Sequence, residues 1–573
     1  MPERDTRQRR EDAEPGTVPL AHHAWQAPVS GWPPGAEATS ASAESSPFTV
    51  PLPPPIFPPD APPPERARRG LSRRSVLIGA GAGALGVGAL GAGVGLLLTR
   101  SSPASSPADI YASNAGQVAH LLRRAGFGPS PADFGEYLEL GVAGSIERLL
   151  KPTATPDNLD ARLAALHFDF TNQQEAMRWT LLRMLESKRL LEEKMTLFWH
   201  GVLTSSLAKV GGKVNYHFLV EQNTLLRSKA LGRFDDLVAV VTTDPAMLWW
   251  LDGRVSTGQN PNENFARELM ELFTMGLDTY TQNDVHQGAL ALTGWTIRQG
   301  KSVFVPSKHY NGAVTFLGHT GKMGVNDVVK LVCAHPTTGK HIAFRMWSFF
   351  VSENPSDGDL KPLVDAYYSS NHQISAMVRA MLTSPAFTKA AYRARIKSPI
   401  EFVVGALRGL GLATDGTGLS TQLSAMGQVP LDPPDVSGWN GDKVSGAWMS
   451  TQAWMARVNF INLLVAAATG TLAGGGVKVS SSGGASTAVS SSAMQAIITA
   501  HKLTTPQDVA DYYVAALVDN QLDEHRRAVL HDAITQQHLS GPALTLAGGA
   551  KLPAAAARTM LYLLMSMPEY QLN

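Results

Sequence analysis

Beyond Asn114 the apolar side chains of this chain recur three and four residues apart, a rhythm that favours a helical body over any sheet-based one. Residues 173–199 show it well: Met177, Leu181, Leu185, Leu191, Met195 and Phe198 form one stripe, and a single long helix is predicted there. Gln117–Ala125 predicts an opening helix that ends at Gly126-Phe127-Gly128-Pro129, after which Ser130 caps a second one starting at Pro131. Further helices are predicted at 216–231, 233–242, 262–276, 282–293, 325–334, 338–351, 359–368, 372–383 and 398–411, then at 505–518, 522–538 and 553–567. Strand-like alternation is scarce, with Ser302-Val303-Phe304-Val305 the one short candidate. The fold class is therefore mostly α. A single large helical domain with irregular loops spans 114–470, a flexible Gly/Ser-rich loop spans 471–493, and helices over 494–573 pack back onto the main domain.

The front of the chain obeys other rules. Of 37 prolines, 16 fall before residue 65, including Pro51-Leu52-Pro53-Pro54-Pro55, so residues 1–65 read as a disordered tail that has little to bury. Residues 66–104 combine an arginine cluster, the sequence Ser72-Arg73-Arg74-Ser75-Val76-Leu77 and an apolar, Gly/Ala-rich run over 76–99, which together resemble a twin-arginine export signal. Two outcomes stay open. Small residues around Ser102-Pro103-Ala104 and Ser106-Pro107-Ala108 suit cleavage and release of the body. The run is also about 35 Å long as a helix, enough to be retained as a single-span membrane anchor. Either way the body is expected outside the cytoplasm, delivered by the twin-arginine machinery, and membrane contact is expected through 76–99 if the signal is kept.

Composition narrows the function. Lys plus Arg is 49 and Asp plus Glu 48, a balance that argues against nucleic-acid binding. A lone cysteine, Cys333, excludes an internal disulfide framework, a four-thiolate zinc site and a CxxC redox pair. No Walker loop, dinucleotide fingerprint, Gly-x-Ser-x-Gly elbow or His-Glu-x-x-His is present.

Several motifs in order resemble the bacterial family called domain of unknown function 1800. They are His120-Leu121-Leu122-Arg123-Arg124-Ala125-Gly126-Phe127-Gly128-Pro129; the hallmark Asn262-Glu263-Asn264-Phe265-Ala266-Arg267-Glu268-Leu269-Met270-Glu271-Leu272-Phe273-Thr274; Ala291-Leu292-Thr293-Gly294-Trp295; Leu431-Asp432-Pro433-Pro434-Asp435-Val436-Ser437-Gly438-Trp439; and the closing Ser566-Met567-Pro568-Glu569-Tyr570-Gln571-Leu572. The resemblance implies an exported, mainly helical protein, often encoded beside a second exported family, and supplies no reaction or catalytic residues. Two positions depart from the family's pattern: Val202 stands where a second histidine often follows His200, and Val314 where a lysine often precedes Thr-Phe-Leu-Gly.

On an ideal helix Asn264, Glu268 and Glu271 share one arc, flanked by Glu263 and Arg267. Carboxylates one turn apart can hold a cation or divide into an acid and a base, so Glu268, Glu271 and His200 are the candidate catalytic residues and the candidate ligands of a possible divalent metal. The competing reading is a solvated face with i,i+4 ion pairs. His200, at the end of its predicted helix, is equally suited to capping carbonyls, and His309, His319 and His335 sit at turns. Asn264, Arg267, His309, Asp432, Asp435 and Trp439 are candidate binding residues. The last three lie on a proline-stiffened loop that suits sugar recognition or, structurally, a turn with its indole in the core. Two functions follow. One is an acid/base or metal-assisted hydrolase acting on an envelope or extracellular polymer; the other is a non-enzymatic envelope scaffold that binds a glycan or a co-encoded exported partner.

Overall fold

A computed structural model describes residues 114–573 apart from 211, 213–214, 472–476, 479–487, 490–492 and 537. The expected tail, the expected export segment and most of the Gly/Ser-rich loop lie outside the described residues, and so does the whole of the unit Met1–Arg69. The second unit, Gly70–Asn573, carries everything described below.

The body is mostly helical, as the periodicity predicts, and its few strands form four two-stranded antiparallel hairpins among the described residues. The expected strand near 302–305 is Lys301–Phe304, paired with Trp295–Arg298. One expectation fails. The single helix over 173–199 is two, Gln173–Glu186 and Leu190–Val202, because Ser187 takes extended backbone and Asp157 accepts hydrogen bonds from Ser187 Oγ at 2.8 Å and Lys188 N at 3.1 Å. The apolar stripe continues across the break because both pieces face the core, so periodicity alone could not reveal it. A helix at Thr451–Ala468, absent from the sequence reading, is buried on several faces and so has little amphipathic contrast to detect.

The opening helix Asn114–Arg124 is covered on nearly every side and packs against Pro506–Val518 from the end of the chain. Its basic residues are structural. Arg123 pairs with Asp519, while Arg124, fully buried, donates its Nε to Phe350 O at 2.9 Å. Deeper still, Lys194 lies between the rings of Phe127 and Phe349 at 4.9 and 5.3 Å and pairs with Glu401. Glu401 is also the third residue of the Pro399–Gly409 helix and closes a capping box with Ser398. Burial by itself would raise this carboxyl, but Lys194 and then Arg124 override it and hold it near 2. Arg457 donates to Lys397 O at 2.7 Å, and Lys397 in turn donates to Tyr570 O at 2.6 Å, which binds the closing segment to the 395–398 turn.

Removing one partner of such a buried pair leaves a bare charge in the core. Glu401→Gln is therefore expected to lower unfolding free energy by about 3–5 kcal/mol in denaturant titration. Glu147→Gln, which loses an exposed partner of Arg379, should leave the midpoint almost unchanged.

Candidate functional site

The hallmark begins as predicted. Asn262 caps the helix Glu263–Glu268 by accepting from Asn264 N at 2.9 Å and donates to Leu251 O at 2.7 Å. The helix then widens into a π turn, Leu269–Thr274, with Met275 N bonded to Met270 O at 2.7 Å and Thr274 Oγ1 to Leu269 O at 2.6 Å. Each residue of a π turn advances less around the axis than in an α-helix, so Glu271 is rotated relative to Glu268 compared with the ideal arc. Single π turns inside helices cluster at functional sites.

The two carboxylates still face each other electrostatically, in different surroundings. Both are half-buried. Glu271 accepts a short hydrogen bond from Tyr280 Oη, and burial followed by that bond pushes the phenol up to about 12. Glu268 has no hydrogen-bond partner among the described residues, and burial, then the Glu271 charge, raise its carboxyl above the usual range against a smaller pull from Arg267. Burial and a neighbouring charge thus raise one carboxyl of the pair, while the other accepts from a phenol. That is the division an acid and a base require.

The flanking residues behave as a polar surface. Asn264 is exposed, and Arg267 bonds Gln282 Oε1 at 2.9 Å with Glu263 at 3.9 Å as its i,i+4 partner. Glu263 also faces His286 at 3.0 Å and accepts from Gln282 Nε2 at 2.9 Å. These two line an open groove of about 490 Å³ with Ser256, Asn260 and Asn262, at the start of the hallmark helix.

His200 lies elsewhere. It is 2 % exposed, its Nε2 has no protein partner, and burial alone pulls it down to about 4. It is not an imidazolium satisfying helix-end carbonyls. Among the described residues no three His, Cys, Asp or Glu side chains are placed to share a metal ion, so Glu268, Glu271 and His200 do not make a ligand set. What the structure does join is His200 and Trp439, whose rings lie 5.5 Å apart and whose indole Nε1 is likewise unpartnered. Gly438, at φ +88, lets that turn approach: a Cβ there would fall 2.3 Å from Gly201 O.

The remaining candidates make hydrogen bonds within the protein. Asp432 accepts from Ser206 Oγ and from Ala208 N at 2.9 Å, fastening the start of Leu207–Val210. Asp435 accepts from Ser437 N at 2.8 Å and Ser437 Oγ at 2.7 Å within its own turn. His309 holds Thr293 O at 3.0 Å and packs on Phe304, supporting the Gly294 turn. Val314 is 2 % exposed, a core residue of its hairpin. Sequence reasoning passed over Tyr280, nine residues beyond Glu271, and the group Arg345, Ser348, Asp442 and Lys443. Arg345 and Ser348 lie one helical turn apart and Asp442 precedes Lys443, but no spacing in the sequence brings those two pairs together or points Tyr280 at Glu271.

A mostly helical body with a paired-carboxylate face on its hallmark helix is thus what fold and site define. The family described as protein of unknown function (DUF1800) matches residues 120–572, most of the chain. The chain belongs to that family. No curated protein and no solved structure matches it.

Burial sets a pH dependence. His120, His200 and His341 are all pulled by burial from 6.5 to about 4. Between those values the unfolded chain takes up protons that the folded one refuses, so stability present above pH 6.5 is lost as pH falls toward 4. Each histidine adds a slope of up to about 1.4 kcal/mol per pH unit. His200→Phe should flatten the fall of the thermal midpoint over that window.

Proposed function

We propose that the chain is an exported hydrolase that uses Glu268 and Glu271 as an acid/base pair on an envelope or extracellular polymer. The observation that carries this reading is the division of the pair: Glu268 has its proton favoured by burial and by its neighbour, and Glu271 is held by Tyr280. Glu268 is the general acid that protonates the leaving group. Glu271 is the base that takes a proton from the attacking water, with Tyr280 orienting it. The groove edged by Asn260, Asn262, Glu263 and His286 supplies amide, carboxylate and imidazole partners for a polar chain laid beside the hallmark helix. The twin-arginine-like signal supports delivery of the folded body to such a substrate.

The test uses dye-labelled cell-wall glycan and the purified full chain. Glu268→Gln and Glu271→Gln should each lower dye release at least about 100-fold with circular dichroism unchanged. Tyr280→Phe should cost less, and activity should fall as pH rises through the raised Glu268 titration. Full activity in both glutamine variants, or no release by the parent chain, would overturn the reading.

A further inference from the structure

A narrow cleft opens between the last turn of the helix Leu190–Val202, one face of Thr338–Phe350 and the turn Asn440–Lys443. Phe198, Val202, Phe344 and Phe349 wall it, and Arg345, Ser348, Asp442 and Lys443 bring polar atoms into it. Its free space is about 20 Å³, room for a water or two, so it can admit a small head group and no segment of polymer.

The polar groups reach the cleft largely unengaged. Ser348 is 3 % exposed and its Oγ has no partner in the protein. Arg345 gives one hydrogen bond, from Nη2 to Gly201 O at 3.0 Å, and among the described residues neither Lys443 Nζ nor the Asp442 carboxyl makes any. Gly201 is what allows this crowding, since a Cβ there would meet Asp442 Oδ2 at 2.9 Å. Two cations share the site, and Lys443 is held below its ordinary range by burial and then by Arg345. An arginine fork with unused N–H groups, a second cation and an unpartnered buried hydroxyl match an oxyanion, which accepts from all three. At the rim Phe344 is 43 % exposed, so an apolar ring stands beside the polar groups where an attached carbon body would lie.

We propose that this cleft binds the carboxylate or phosphate head group of a small organic ligand, with Arg345 and Lys443 holding the oxyanion, Ser348 Oγ donating to it and Phe344 covering the attached carbon body. Asp442 tunes the site: while ionised it offsets one of the two cations. None of these residues lies on the hallmark helix, so the site stands whether or not Glu268 and Glu271 are catalytic. The competing account is an internal salt bridge between Arg345 and Asp442 that closes the cleft.

Titration calorimetry on the purified full chain at constant ionic strength, with inorganic phosphate, phenyl phosphate, acetate and benzoate, separates the two. The site predicts saturable binding of at least one aromatic probe, about tenfold tighter than the matching bare ion, and the better of phenyl phosphate and benzoate identifies the head group. Lys443→Gln, which breaks no hydrogen bond, should weaken it about tenfold, and Asp442→Asn should tighten it several-fold. Phe344→Ala should remove the advantage of the aromatic probe alone. Absence of saturable binding by all four probes, or binding unchanged in Lys443→Gln, would overturn the proposal in favour of the internal salt bridge.

Discussion

Lys194 and Glu401 meet inside the core, with aromatic rings on the ammonium and a helix start on the carboxylate, and the long-range order of the body is arranged around them. Burying two charges costs several kcal/mol per ion unless geometry and further hydrogen bonds offset it. Here the offset is shared: Glu401 serves its own helix as a capping residue and serves Lys194 as a counter-charge. Around the pair, Arg124, Arg395 and Arg457 direct their forked donors at carbonyls near helix ends and turns, including Phe350, Gly441 and Lys397. A guanidinium presents five N–H donors in a rigid planar fork, so it spans several such carbonyls in a fixed geometry that a flexible lysine ammonium does not set.

That arrangement gives the family-like motifs a physical reading. The opening His120–Pro129 segment supplies Arg123, Arg124 and Phe127 to this system, and the closing Ser566–Leu572 segment is tied to 395–397 by Lys397 and by the Ile396–Leu572 bridge. Residues hundreds of positions apart are thereby held in one register. The Asp432–Trp439 loop belongs with them: its carboxylates fasten local turns, and its tryptophan meets His200. The hallmark differs, because its helix leaves regular geometry where Glu268 and Glu271 occur and leaves both half-buried. Single π turns of this kind recur at functional sites, and this one falls where the two glutamates stand.

Much of the helical order was legible in the sequence, because amphipathic stripes such as Val325–Ala334 record which face is buried. The break at Ser187 and the helix Thr451–Ala468 were not, since one depends on Asp157, thirty residues upstream, and the other exposes only a narrow edge with Gln452, Asn459 and Asn462, which gives little amphipathic contrast. For the site, spacing brought Glu268 and Glu271 to one side of a helix but could not supply Tyr280. Nor could it show that His200 stays neutral and apart from them.

By itself, then, the sequence determined the mostly α class, the membership that its ordered motifs announce, and the presence of two carboxylates one turn apart. These are local properties, set by side-chain period and short-range spacing. Only the tertiary structure decided which charged residues are interior, that Arg123 and Arg124 are braces, and that Arg345, Ser348, Asp442 and Lys443 share a cleft. Those outcomes depend on burial and on distances between segments far apart in the chain. A desolvated charge takes its meaning from whatever packs beside it.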